Sequence, residues 1–200
     1  VLGAVLILHD ASSETSLEER CQSLHTKATR DPLTQVANRA EFDRVFELFI
    51  NTHRQQRVPC SLIICDLDKF KRINDTYGHQ AGDEAIKTLA TLLKSSCRPG
   101  DLVARYGGEE FVMLCADCDN AAAARRADDL RKRLDQTPQA ALGGRSITAS
   151  FGVTGLDKPM PGDDFSLDDL IEMADQYLYQ AKNSGRDKVV RGPFINEVND

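Results

Sequence analysis

Long apolar runs are absent from this 200-residue chain. The longest near its start, Val1 to Leu8, falls far short of the roughly 20 residues that cross a bilayer. Neither a basic leader nor a small-residue cleavage site accompanies it, so no membrane segment and no signal peptide are expected. Cysteine is sparse: the six residues at 21, 60, 65, 97, 115 and 118 are too dilute for a disulfide scaffold, and reduced thiols in a cytoplasmic setting are the expectation. Cys115 and Cys118 form one C-x-x-C with no second pair nearby, a weak zinc or redox signal better read as structural. Positive charge is also in deficit. Lys+Arg is 25 against Asp+Glu 31, a net −6. That balance argues against a nucleic-acid partner coated by the whole surface, since such binding is mostly phosphate neutralisation. A small phosphate-bearing ligand, held by a few local cations or a metal, is compatible with it.

What is present suffices for one domain and a remainder. Hydrophobic residues make up 41% and charged residues 28%, which excludes wholesale disorder. The first residue is Val rather than Met, so the chain reads as a piece of a longer one. Val1 to Leu8 reads as a strand, and Ser12 or Ser13 as the cap of a helix running to about Thr29. That helix carries Leu17, Cys21, Leu24 and Ala28, a heptad-like stripe suited to a short coiled-coil connector. Asp31-Pro32 breaks it and marks the start of the main domain.

Beyond that boundary the pattern predicts a helix from about Arg39 to Arg54 and a strand at Ser61–Cys65, apolar throughout and therefore buried on both faces. A helix follows over about 83–95, then strands at 102–106 and 111–115 around the turn Gly107-Gly108. A helix at 121–134, a strand at 146–154, a helix from Leu167 to about Asn183 stopped by Gly185, and a closing strand at 188–190 complete the series. The order β-α-β-β-α-β, plus one more helix and strand, predicts an α/β (α+β) sandwich of ferredoxin-like kind with a central antiparallel sheet.

The chemistry concentrates at Asp66-Leu67-Asp68, directly after the buried strand. A carboxylate there is unfavourable unless something pairs with it, and a hard divalent cation is a fitting partner. The hairpin Tyr106-Gly107-Gly108-Glu109-Glu110-Phe111 brings two more carboxylates, and in a βαββ unit Asp66 and Glu109 can meet at one sheet edge. Carboxylates from separate segments around Mg²⁺ serve phosphoryl and nucleotidyl transfer. The alternative is four solvated turn residues, with Glu110 pairing Arg105 across the hairpin. The residues alone leave both readings open.

The ordered motifs decide between them. Asp31-Pro32-Leu33-Thr34 with Asn38-Arg39, Asp66-Leu67-Asp68-Lys69-Phe70-Lys71 running into Ile73-Asn74-Asp75-Thr76-Tyr77-Gly78-His79, and Gly82-Asp83 closely resemble the GGDEF family of diguanylate cyclases. Arg105 to Phe111 is similar to the family signature in its GGEEF variant, and Ser150-Phe151-Gly152-Val153, Ala174-Asp175, Tyr179, Ala181-Lys182 and Gly185-Arg186 also match. The resemblance covers residues 31–191, leaving 192–200 as a tail, 13–30 as a signalling helix, and 1–12, similar to the last strand of a PAS sensory domain, as a remnant. It implies a fold akin to nucleotide cyclase and polymerase palms.

The resemblance also implies a reaction: two GTP become cyclic di-GMP and two pyrophosphates, in a homodimer, with Mg²⁺ or alternatively Mn²⁺. By this likeness the Asp66 and Glu109 side chains and the Leu67 carbonyl hold the metal, Lys71 stabilises the transition state, and Glu110 supports a second cation or the hairpin. A metal-bound carboxylate is a poor base, so Glu109 is expected chiefly as ligand and positioning group. Asn74 and Asp83 match guanine readers and suit the donors and acceptors of that base. An N-cap role for Asp83 and a turn-stabilising role for His79, otherwise a substrate contact, are the structural alternatives. Backbone amides around Lys69 and Phe70 face the phosphates, and Lys182 and Arg186 the triphosphate, unless those cations only complement a helix dipole. Arg98-Pro99-Gly100-Asp101 has the spacing of the family's R-x-x-D product-inhibition site, though Pro-Gly alone makes a plain turn. Gln35 departs from the family, which usually has Gly there, and questions the local turn. A catalytically silent receptor or scaffold of the same family is the second reading. A palm acting on nucleic acid is the third, disfavoured by the acidic balance.

Overall fold

A computed structural model describes residues 11–159 and 166–193, the side chains of residues 11–18 excepted. The strand expected at Val1–Leu8 and all but the first two residues of the expected tail lie outside the described residues. Five strands form one sheet: β1 (Cys60–Leu67), β2 (Leu102–Gly107), β3 (Glu110–Ala116), β4 (Ala149–Leu156) and β5 (Val189–Arg191), in the order β2-β3-β1-β4-β5. The first four are antiparallel to their neighbours, and β5 lies parallel to β4. This is the expected ferredoxin-like core with one strand added at its edge.

Helices cover both faces, which is why β1 is apolar at successive positions rather than at alternate ones. On one face α2 (Arg39–Gln56) and α6 (Leu167–Asn183) pack Phe42, Phe46, Leu170 and Leu178 against Leu62, Ile64, Val112 and Leu114. On the other, α4 (His79–Ser96) and α5 (Asn120–Asp135) pack Ile86, Leu89, Leu93 and Leu130 against Ile63, Cys65, Phe111 and Met113. Asn38, Asp119 and Ser166 cap α2, α5 and α6, the last with a full capping box to Asp169.

One helix and several boundaries differ from the sequence pattern, β1 running on through Asp66 and Leu67. The helix α3 (Phe70–Tyr77) was not expected at all, and α4 begins four residues before Asp83 because Gly78, at φ 85°, closes one helix and opens the next. Asp83 is therefore not an N-cap. The segment Ser146–Thr148 stays out of the ladder that β4 begins at Ala149. The N-terminal helix α1 (Ala11–Thr29) already runs at Ala11, ahead of Ser12 and Ser13. Gln35 sits at φ 59°, a conformation suited to Gly, and its side-chain amide donates to the Pro32 carbonyl at 2.9 Å, so the turn survives the departure.

Gly152 sets how closely α6 can approach. A Cβ there would run into the Ala174 carbonyl oxygen and the Leu178 backbone nitrogen. We predict that Gly152→Ala lowers the unfolding free energy by about 1–3 kcal/mol, the usual range for an overpacked core. Urea denaturation checks it, and an unchanged midpoint would contradict the close packing.

Candidate active site

Side-chain alternation along β1 carries Leu62, Ile64 and then Asp66 toward the α6 face. Asp66 pairs in register with Glu110 of β3 on one side and Ser150 of β4 on the other. It is only 8% exposed, and Lys182 Nζ of α6 lies 3.0 Å from its Oδ2. Burial pushes the Asp66 carboxyl up to about 6; Lys182 pulls it down, while Glu109 and Glu110 push it further up. Three carboxylates thus share one sheet edge with one bonded cation. Arg105 does not pair with Glu110: its guanidinium bonds the Asp31 carboxylate at 3.2 Å and the Gly108 carbonyl at 2.8 Å.

Asp66, Glu109 and the Leu67 carbonyl are oxygen donors, the set a hard divalent ion takes. Among the described residues no three His, Cys, Asp or Glu side chains stand assembled as a metal site. Two carboxylates and a carbonyl leave the remaining positions to phosphate oxygens and water, as Mg²⁺ commonly has them. The residues present fit that ion.

Beside this edge α3 begins without a side-chain cap, its N-cap Lys69 held at φ 56°. Its first amides, around Lys69, Phe70 and Lys71, therefore have the free N–H groups and positive dipole end that bind phosphate. Further along α3, Asn74 packs onto Gly82 of α4, where any Cβ would collide with the Asn74 Oδ1. That oxygen is buried without a hydrogen-bond partner, a state that a donor-bearing ligand would relieve. Asp83, next to Gly82, is exposed and lines an open groove of about 420 Å³ with Tyr77, Gln80 and Lys87. His79 opens α4, exposed, with no hydrogen bond to its ring among the described residues. Arg186 follows α6 in an exposed turn at φ 66°.

The sequence counted Asp68 among the candidate carboxylates but gave it no role of its own; the residue is 7% exposed, and its carboxylate accepts from three donors on two other segments. The D-x-D spacing after a buried strand was the available signal. Arg98 and Asp101 lie at the other end of β2 from the hairpin, about 20 Å away at the rise of a strand. The Asp101 side chain is 0% exposed; it accepts from the Arg98 and Ala116 backbone N–H groups and from Arg126 at 2.7 Å, while Arg98 itself is exposed. Cys115 and Cys118 are buried free thiols.

Residues 28–188 match the family described as "Diguanylate cyclase, GGDEF domain". The diguanylate cyclase VdcA of Vibrio cholerae is 39% identical over 188 residues, 92% of this chain and 53% of that protein. The probable diguanylate cyclase DgcT of Escherichia coli is 36% identical over 173 residues, 84% of this chain and 37% of that protein. The chain thus spans about half or less of these curated relatives. Among solved structures, the coiled coil and GGDEF domain of DgcB from Caulobacter crescentus, in complex with c-di-GMP, matches with a TM-score of 0.81 at 29% identity, covering 92% of this chain and 96% of that one.

The elevated Asp66 carboxyl makes a prediction about stability. Its folded proton affinity exceeds that of an ordinary carboxylate near 3.8, so the native state binds more protons and loses stability as pH rises from about 4 to 6. Asp66→Asn removes that loss. In metal-free buffer it should raise the unfolding free energy by about 1–2 kcal/mol at pH 8 and scarcely alter it at pH 4. Chemical denaturation at the two pH values checks this, and a variant less stable than the parent at pH 8 would contradict it.

Proposed function

The chain belongs to the GGDEF domain family, and from that premise we propose that it is a diguanylate cyclase, joining two GTP molecules into cyclic di-GMP with release of two pyrophosphates. The observation that carries the reading is Asp66, a buried carboxylate crowded by Glu109 and Glu110 beside an uncapped helix N-terminus. A fold keeps so unfavourable a charge cluster only where a ligand relieves it. The intact guanine readers and signature carboxylates speak against a silent receptor.

In this reading Asp66, Glu109 and the Leu67 carbonyl hold Mg²⁺, or Mn²⁺ in its place, and Glu110 supports a second cation or steadies the hairpin. When bound, the ion neutralises charge that builds on the phosphate oxygens during transfer. The α3 amides around Lys69 and Phe70 cradle the phosphates, and Lys71 offsets charge at the transferring group. Lys182 and Arg186 stabilise the leaving pyrophosphate. Asn74 and Asp83 grip the guanine edge, with His79 as a flanking contact.

One domain holds one GTP, so each 3′-hydroxyl must reach the α-phosphate held by another copy, and a homodimer is part of the mechanism. The α1 stripe supports this: Cys21, Leu24 and Ala28 are exposed, Leu24 by 66%, and suit a paired coiled coil. Product inhibition enters through Arg98, whose exposed guanidinium makes no ion pair among the described residues, in a turn that Asp101 braces from inside. A fork of that kind suits guanine or phosphate.

Glu109→Gln should abolish cyclic di-GMP formation, a loss of at least about a thousandfold, while the thermal transition stays in place, because the side chain at the hairpin tip holds no core contact. Chromatography of GTP–Mg²⁺ incubations measures it. Wild-type turnover in the variant would overturn the assignment.

A further inference from the structure

Asp68 follows the end of β1 by one residue, and its carboxylate makes no ion pair among the described residues despite its burial. A buried carboxylate without a cation persists only when hydrogen bonds fill its oxygens. Here they do. Oδ1 accepts from the Ser150 hydroxyl at 2.7 Å, and Oδ2 from the Thr148 hydroxyl at 2.8 Å and the Asp187 backbone N–H at 3.0 Å. The Asp68 N–H in turn donates to the Thr148 carbonyl at 2.9 Å. The third donor belongs to the turn between α6 and β5.

That turn has an unusual backbone. Gly185, Arg186 and Asp187 lie at φ 116°, 66° and 46° in succession, and the last two are not glycine. Such a conformation endures only where its surroundings impose it. Two groups outside the turn do so. Asp68 takes the Asp187 N–H, and Arg131 of α5 bonds the Asp187 carboxylate at 2.9 Å. Lys182, one helical turn before, bonds Asp66. The two carboxylates of D-x-D therefore hold two successive parts of one segment: Asp66 its lysine side chain, Asp68 the backbone of the turn that carries Arg186.

We propose that Asp68 is a positioning residue that fixes the Arg186 turn, and with it the site's grip on the β- and γ-phosphates, through the Asp187 N–H. The inference rests on the reading of the site as one for GTP. It separates Asp68 from the metal ligands, because a hydrogen-bond acceptor is all the role requires. Asparagine can supply one: its amide oxygen takes the Thr148 and Asp187 donors, and its NH₂ meets the Ser150 hydroxyl, which accepts as readily as it donates.

The test is calorimetric binding of α,β-methylene-GTP, which cannot release pyrophosphate, and of GMP, which lacks the distal phosphates. Asp68→Ala should weaken the triphosphate analogue by about tenfold or more and GMP by less than about twofold, and Arg186→Ala should add little to it. Asp68→Asn should bind both within about twofold of the parent. Equal loss of both ligands in Asp68→Ala, or a tenfold loss in Asp68→Asn, would overturn the proposal. Amide exchange in the unaltered protein bears on it without any variant: the Asp187 N–H should be protected, and fast exchange there contradicts the role even if Asp68→Ala does not fold. A parent protein that binds neither ligand would instead sink the GTP reading itself.

Discussion

Desolvation of Asp66 is the constraint on which the rest of the site depends. The carboxylate lies at the end of a strand covered on both faces, with Glu109 and Glu110 beside it and one lysine bonded to it. Left alone, this edge makes the charge at Asp66 unfavourable and lifts its carboxyl to about 6. In the proposed reading a divalent cation with a triphosphate gives that charge a partner, so ligand binding and relief of an unfavourable buried charge become one event. The stability that the free protein forgoes at this edge is what the bound state recovers.

The fold supplies the geometry through a few close approaches. Gly152 lets the backbone of α6 settle onto β4, which brings Lys182 within 3.0 Å of Asp66. Gly82 lets Asn74 close onto α4 and leaves its oxygen waiting for a donor. Ser146–Thr148 give up strand pairing, and the Thr148 hydroxyl and carbonyl serve Asp68 instead. At the last of these places regular structure yields to the site, and there the sequence pattern ran the strand too far.

That pattern explains what could be read in advance. The continuous apolar run Ser61–Cys65 announced a strand between two helical layers, and the helices expected at the places of α2, α4, α5 and α6 supplied the layers. The ferredoxin-like order of elements followed. The helix α3 did not, because two turns hold too few periodic positions and its N-cap is a lysine in a left-handed conformation rather than a Ser, Thr or Asp. The ordered motifs named Asp66, Asn74, Asp83 and Lys182 from family likeness. The bonding of Asp68 was hidden because its partners Ser150, Thr148 and Asp187 lie 82, 80 and 119 positions away. The burial of Asp101 was hidden likewise, since Arg126 on α5, its ion-pair partner, has no local signal in the sequence.

The central claim is that the β1 end, the β2–β3 hairpin and the α3 N-terminus converge on one cation and one triphosphate. A crystal structure of the domain with α,β-methylene-GTP and Mg²⁺ tests it most directly. The ion should be held by Asp66, Glu109 and the Leu67 carbonyl, with the phosphates on the first amides of α3 and the base between Asn74 and Asp83. A nucleotide seated elsewhere, for instance in the basic groove between α5 and β5 lined by Arg125, Lys132 and Arg191, with no ion at Asp66, would contradict it.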